Sequence, residues 1–214
     1  MRKKSETRRL KFVQAAGKLF IEKGFGAVTM EAIAAEAGAS KVTLYSYFSG
    51  KEDLFKAFVI ETGKVMVERL EISPEGAELR ATLHHLGMAY LNLVTSPEII
   101  NLSRLLIGEA GRHPQLSGIF YENGARQTLL SICNTLDGLR RRRLLRKVVL
   151  PNTGLHFKSL CDAGLVERQL WGLDQPPTEK IKQDAVNSAI DAFLPAYGAT
   201  GALSVINPED LLPK

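Results

Sequence analysis

The chain has 214 residues, 45% of them hydrophobic and 24% charged, which is enough apolar material for a sizeable core and excludes general disorder. No run of eighteen uncharged apolar residues exists, so a membrane span is excluded, and Cys133 and Cys161 form neither a CxxC pair nor a disulfide framework. The net charge of +5 is uneven: residues 1–51 carry ten Lys/Arg against four Glu, and the rest of the chain carries eighteen basic against nineteen acidic residues.

A basic N-terminal quarter favours a polyanionic partner, although residues 1–11 serve equally well as a solubility tail. The start, MRKKSETRRLKF, leads into no signal-type apolar core, so a cytoplasmic location is expected. Residues 5–23 place Leu10, Val13, Ala16 or Gly17, Phe20 and Ile21 on one helical face, and Gly24 ends that helix. Thr29 caps the short segment MEAIAAEA, Gly38 closes it, and Ser40 caps the next helix. Ser49 and Glu52 have capping-box spacing for a fourth helix that runs to about Leu70. Ser73-Pro74-Glu75 and Ser96-Pro97-Glu98 share one grammar of cap, proline and first-turn acid, and open helices of about 75–95 and 97–111. After the His113-Pro114 break come helices of about 116–143, 152–170 and 177–197, the last two joined by Asp174-Gln175-Pro176-Pro177. No strand pattern stands out, and the expected fold class is all-α. A short-helix, basic domain covers residues 1–50, a helical bundle covers 51–200, and an irregular tail covers 201–214.

The stretch SKVTLYSYFSGKEDLF, residues 40–55, carries the functional signal. Two short helices joined at Ala37-Gly38-Ala39-Ser40 match a helix-turn-helix, in which Gly38 supplies positive φ. At 100° per residue, Leu44, Phe48, Lys41 and Tyr45 fall on the core side of the second helix. Val42, Thr43, Ser46 and Tyr47 occupy the opposite arc, where an ordinary surface helix carries Glu and Lys. Small hydroxyls and a valine allow close approach to a duplex: hydroxyls reach base edges or phosphates, and Val42 meets a thymine methyl. Thr29, Lys41, Val42, Thr43, Tyr45, Ser46, Tyr47 and Lys51 are therefore the candidate contacts to double-stranded DNA. One such short helix reads few bases, so a homodimer on a palindromic operator is expected.

The run TMEAIAAEAGASKVTLYSYFSGKEDLF, preceded by FIEKGF, closely resembles the DNA-binding domain of TetR-family transcriptional regulators. That resemblance implies phosphate contacts from Tyr45 and Lys51, with Lys41, Val42, Thr43 and Tyr47 facing the groove. The chain departs from the family at Tyr47, where many members carry histidine. The resemblance also implies a C-terminal bundle that binds a small effector and dimerises through its last two long helices. HPQLSGIFYENG is similar to a pattern of the AefR-like subgroup, whose members often repress efflux or stress operons.

On this reading a small apolar or amphipathic molecule releases a repressor from its operator. The alternatives are an effector-independent architectural DNA-binding protein and a helical enzyme. The last lacks support, since no GxSxG, phosphate loop or supported carboxylate pair is present. His84, Tyr90, Tyr121 and His156 are the candidate pocket residues, and no metal or cofactor is expected because the histidine spacing matches no ligand set. Leu160, Ala185, Ala189 and Phe193 are the candidate dimer interface, since Ala185 and Ala189 share a face that Phe193 extends. Trp171 is a further candidate for an interface. Arg140 to Arg143 read first as a solvated helix end and second as a phosphate contact. Lys158, three residues before Cys161, is the one hint of a lowered thiol pKa.

Overall fold

A computed structural model describes residues 2–70, 78–147 and 150–199. Its elements are α1 (Arg2–Lys23), α2 (Met30–Glu36), α3 (Lys41–Tyr45), α4 (Lys51–Leu70), α5 (Leu79–Val94), α6 (Pro97–Glu109), α7 (Pro114–Phe120), a π turn (Tyr121–Ala125), α8 (Arg126–Arg141), α9 (Leu150–Asp162), α10 (Leu165–Leu170) and α11 (Glu179–Tyr197). Among the described residues the only β pairing is an isolated bridge between Leu145 and Gly198, so the expected all-α class holds.

Local capping sets most of these boundaries. The side chains of Thr29, Ser40, Ser96 and Thr178 accept from the backbone N–H groups of Ala32, Thr43, Ile99 and Ile181, each filling an otherwise orphaned donor. Two expectations at helix starts need correction or fall outside the description. Ser49 is engaged by Asp53, whose Oδ2 accepts from the Ser49 N–H at 3.2 Å, and Glu52 takes no part. Ser73-Pro74-Glu75 lies outside the described residues, and α5 starts at Leu79.

Two other differences concern breaks inside expected helices. The single helix foreseen over 152–170 is interrupted where Ala163 (φ 40°) and Gly164 (φ 85°) turn left-handed. The helix foreseen over 116–143 carries the π turn, a wider loop of the helical ladder. In α1, Ile21 stays at the surface because the packed face is centred on Phe12, Ala16 and Phe20.

The apolar side chains form two cores. The first joins Phe12, Phe20, Phe25, Phe48 and Phe55 with Leu102, Leu106 and Leu116, so α1–α4 share it with α6 and α7. Gly17 lets α4 close on α1, since a Cβ there would lie 2.4 Å from the Phe58 ring. The second core unites α5, α8, α9 and α11 through Leu83, Leu91, Leu136, Phe157, Val186, Ile190 and Phe193.

Candidate DNA-reading surface and effector cavity

α3 stands on Leu44 and Phe48, both buried, and presents Val42, 81% exposed, to solvent. The tyrosines exchange the places expected of them: Tyr45 is 46% exposed, and Tyr47 is half-buried with its ring centroid 5.6 Å from that of Phe12. The reason is that α3 ends at Tyr45, so the 100° step no longer governs Tyr47. Within α3, Ser40 Oγ and Thr43 Oγ1 lie 2.8 Å apart, and Ser46 Oγ donates to the Thr43 carbonyl at 2.6 Å. These bonds fix the hydroxyls while leaving lone pairs outward.

Lys41 is ion-paired with Glu31 of α2, and the pairing raises the lysine pKa and lowers that of the carboxylate. Thr29 is spent on its cap. Lys51 Nζ donates to the Phe25 carbonyl at 3.0 Å and lies 4.6 Å from the Phe25 ring centroid, which pins the turn between α1 and α2. The same turn is held from the other side. Glu109, at the end of α6, is buried, and its Oε1 accepts from Gly26 N at 3.5 Å. Gly24 (φ 79°) makes room for it, because a Cβ there would sit 2.8 Å from Glu109 Oε1. His113 adds an edge-on contact to Phe25 at 5.2 Å.

A cavity of about 440 Å³ lies where the two cores meet. Val59 and Ile60 of α4, Leu93 and Val94 of α5, Ile99 and Leu102 of α6, and Phe120 make its apolar wall. Asn123, Gln127 and Thr128 add polar groups from the π turn and α8. At one end Tyr90 donates its hydroxyl to both oxygens of Asp162, at 3.1 and 3.0 Å, and Lys158 Nζ stands 3.5 Å from Asp162 Oδ2. Burial pushes the Asp162 carboxyl up, with Lys158 opposing, and burial beside that carboxylate also pushes up the Tyr90 phenol.

Of the expected pocket residues only Tyr90 lines this cavity. His84 is six residues before Tyr90, a rotation of about 120° away around α5. Tyr121 begins the π turn and points outward, 54% exposed, while Asn123 to Ala125 face inward. His156 is on the outer side of α9, beside the Tyr197 hydroxyl. Asp162, Lys158, Asn123, Gln127 and Glu109 were not foreseen. The four-residue spacing of Lys158 and Asp162 was the available signal.

The expected interface residues also move inward. Ala189 is 2% exposed and Phe193 is fully buried, with an edge-on contact to Phe157 and a tilted one to Tyr197, while Ala185 and Leu160 pack half-buried on the second core. Ala189 and Phe193 therefore pack within the subunit. Outward faces of the same helices carry Leu155 and Ser159 on α9 and Ile181, Ser188 and Ala192 on α11. Arg140 and Arg141 are tied to Asp137 at 2.6 and 3.2 Å, in keeping with a helix end. The hint of a lowered Cys161 pKa is reversed, since burial pushes that thiol up to about 12.

The family model described as AefR-like transcriptional repressor, C-terminal domain, matches residues 81–199, and that of bacterial regulatory proteins, tetR family, matches residues 12–58. The chain belongs to the TetR family of transcriptional regulators. Such regulators bind DNA and usually act as dimers, and the family is generally non-enzymatic.

Among solved structures, this TetR-family chain is similar to a TetR-family regulator from Mesorhizobium loti (26% identity, TM-score 0.80), over 91% of this chain and 98% of that one. It is also similar to the flavonoid-responsive regulator FrrA (30% identity, TM-score 0.79), over 90% of this chain and 98% of that one. A regulator from Pseudomonas syringae shares the fold at 23% identity and a TM-score of 0.72, over 90% and 97% of the two chains. No curated protein sequence matches the chain. Among the described residues no helix is long and apolar enough to cross a membrane.

Proposed function

We propose that this TetR-family regulator is a homodimeric repressor that leaves a palindromic operator when an apolar or amphipathic molecule enters the cavity. The observation that carries the reading is the position of α6. Its Ile99, Leu102 and Ser103 form cavity wall, and its last residue, Glu109, holds the turn that seats the helix-turn-helix. A ligand that prefers one placement of α6 thereby prefers one placement of the reading head, which is the differential affinity that coupling requires. The name of FrrA speaks of flavonoids, and flat polycyclic effectors suit the apolar wall described here.

In the reading head, residues 1–50, Val42 and Thr43 read bases, while Tyr45 and the start of α4 position the backbone. Lys51, whose ammonium has three donors, can meet a phosphate while it holds the Phe25 carbonyl. The remaining helices, up to residue 200, hold the effector, and two subunits join through the outward faces of α9 and α11. No catalytic step is assigned.

The test is to sequence genomic fragments retained by the purified protein, then follow their release by fluorescence anisotropy as flavone is added. A palindromic consensus bound by a dimer, with affinity falling on ligand addition, is expected. Retention of no defined sequence overturns the reading of a specific regulator. Affinity for a defined site that is unchanged by a ligand seen to bind the cavity favours the effector-independent alternative.

A further inference from the structure

The polar end of the cavity has a composition that constrains what enters. Lys158 is a donor only, ionised Asp162 is an acceptor only, and the two stand 3.5 Å apart at the edge of an otherwise apolar wall. At 3.5 Å the ion pair is looser than a direct ammonium–carboxylate hydrogen bond of about 2.7–2.9 Å. Tyr90 already donates to both oxygens of Asp162 and fixes the plane of the carboxylate from the buried side. Lys158 also lies near the face of the Tyr90 ring, at 5.8 Å from its centroid, so its stem is held against the cavity wall.

We propose that Lys158 and Asp162 select effectors carrying a hydroxyl group on an uncharged apolar framework. The hydroxyl oxygen accepts from Lys158 Nζ, and its proton is donated to Asp162. Tyr90 is the positioning residue behind them. This deepens, and rests on, the reading of the cavity as the effector site.

The chemistry of the alternatives supports the choice. A hydroxyl both donates and accepts, so it satisfies the two groups at once and leaves neither buried and unpaired. An ether or carbonyl serves Lys158 alone. A lipophilic cation meets two lining lysines, Lys64 and Lys158, at a site whose carboxylate is already shared. A carboxylate ligand would set a second negative charge against Asp162. Among the described residues the wall offers the cation no carboxylate besides Asp162.

The experiment is isothermal titration of the full-length protein with 7-hydroxyflavone, 7-methoxyflavone and flavone, repeated with 4-phenylphenol, 4-methoxybiphenyl and biphenyl. Hydrogen bonds to charged groups set the expected scale: each hydroxyl compound binds about tenfold to a hundredfold more tightly than its parent. The methyl ether, which keeps the acceptor and loses the donor, forfeits most of that gain. In Lys158→Met and Asp162→Asn the readout is the ratio of hydroxyl to parent affinity, with biphenyl the parent that has no polar atom for Lys158 to meet. The hydroxyl advantage collapses in both variants. Tyr90→Phe reduces it in part, since the ring remains and only the orienting bond is lost.

If hydroxyl and parent bind the wild type equally, or if either variant keeps the advantage, the proposal is overturned while the cavity remains an effector site. If no compound of either series binds the wild type, the proposal and the cavity reading fall together. The comparison of ligands on the wild type needs no variant to fold.

Discussion

The first core rests on five buried phenylalanines, whereas the second is dominated by leucines and sits among helices that bury the hydroxyls of Thr82, Ser131, Thr135 and Thr153. In the first, Phe20, Phe25 and Phe55 meet ring to ring, with centroids 5.2 to 6.0 Å apart. Rings in mutual contact have few alternative arrangements, so α1–α4 with α6 and α7 form one stiff block. The second block is the α5, α8, α9 and α11 packing. The cavity takes its wall from both, with Val59, Leu102 and Phe120 on one side and Tyr90, Leu93 and Val94 on the other. A ligand there works at a seam between blocks rather than inside either.

Phe55→Ala removes a ring that packs against both Phe20 and Phe25 and carries the largest expected effect, a loss of about 3–5 kcal/mol in urea unfolding. Operator binding should fail together with stability. A variant that unfolds only the reading head and leaves α6 and α7 native would show that the first core is not one unit.

Gly87→Ala strikes the second block. A Cβ there meets Val186 at 2.8 Å and Cys161 Sγ at 3.3 Å, so overpacking of about 1–3 kcal/mol is expected. Because the first block is untouched, operator affinity measured well below the melting temperature should stay near wild type.

Lys51→Met separates two roles of one side chain. Loss of its carbonyl bond and its ring contact costs about 1 kcal/mol of stability. Unchanged stability with a weakened, less salt-dependent operator complex would instead mean that Lys51 acts mainly on phosphate.

The smallest effect is at Asp162. Burial raises its folded pKa above the ordinary 3.8, so ionisation costs more in the folded protein than in the unfolded chain. The penalty is absent below the ordinary carboxylate value and complete above the raised one. The melting temperature of Asp162→Asn relative to wild type should therefore climb as pH goes from 4 to 7. A flat difference over that interval would place the carboxylate in a more hydrated setting.

The range of the interactions decided how much of this was legible in the sequence. Caps act within three residues, so Thr29, Ser40 and Ser96 could be read directly, and with them the order of the helices. The interruption at Gly164 could not, because a lone glycine inside an apolar helical pattern does not by itself break it. Tyr47 was misplaced because a wheel drawn through a five-residue helix continued past its end, whereas Tyr45, inside the helix, stands about 100° round from Leu44 and escapes the core. The cavity escaped altogether except for Tyr90, since Val59, Tyr90, Phe120 and Asp162 come together only through tertiary packing. Ala189 read as an interface residue for a related cause: a small-residue stripe has the same spacing whether its partner helix is in the same subunit or another.

The π turn at Tyr121–Ala125 has a bearing on how such a cavity changes over generations. A π turn accommodates about one residue more than an α turn, and single turns of this kind inside helices are frequent at functional sites. Each residue added to or removed from a helix rotates its downstream part by about 100° relative to the upstream part. A one-codon deletion within Tyr121–Ala125 would return the ladder to α geometry. Because the π turn had absorbed that residue, Phe120, Gln127 and Thr128 would keep their facing and the wall would lose one of Asn123 to Ala125. The protein thus carries, in five residues, an adjustable joint through which a single indel could alter ligand preference while the DNA-reading surface stays as it is.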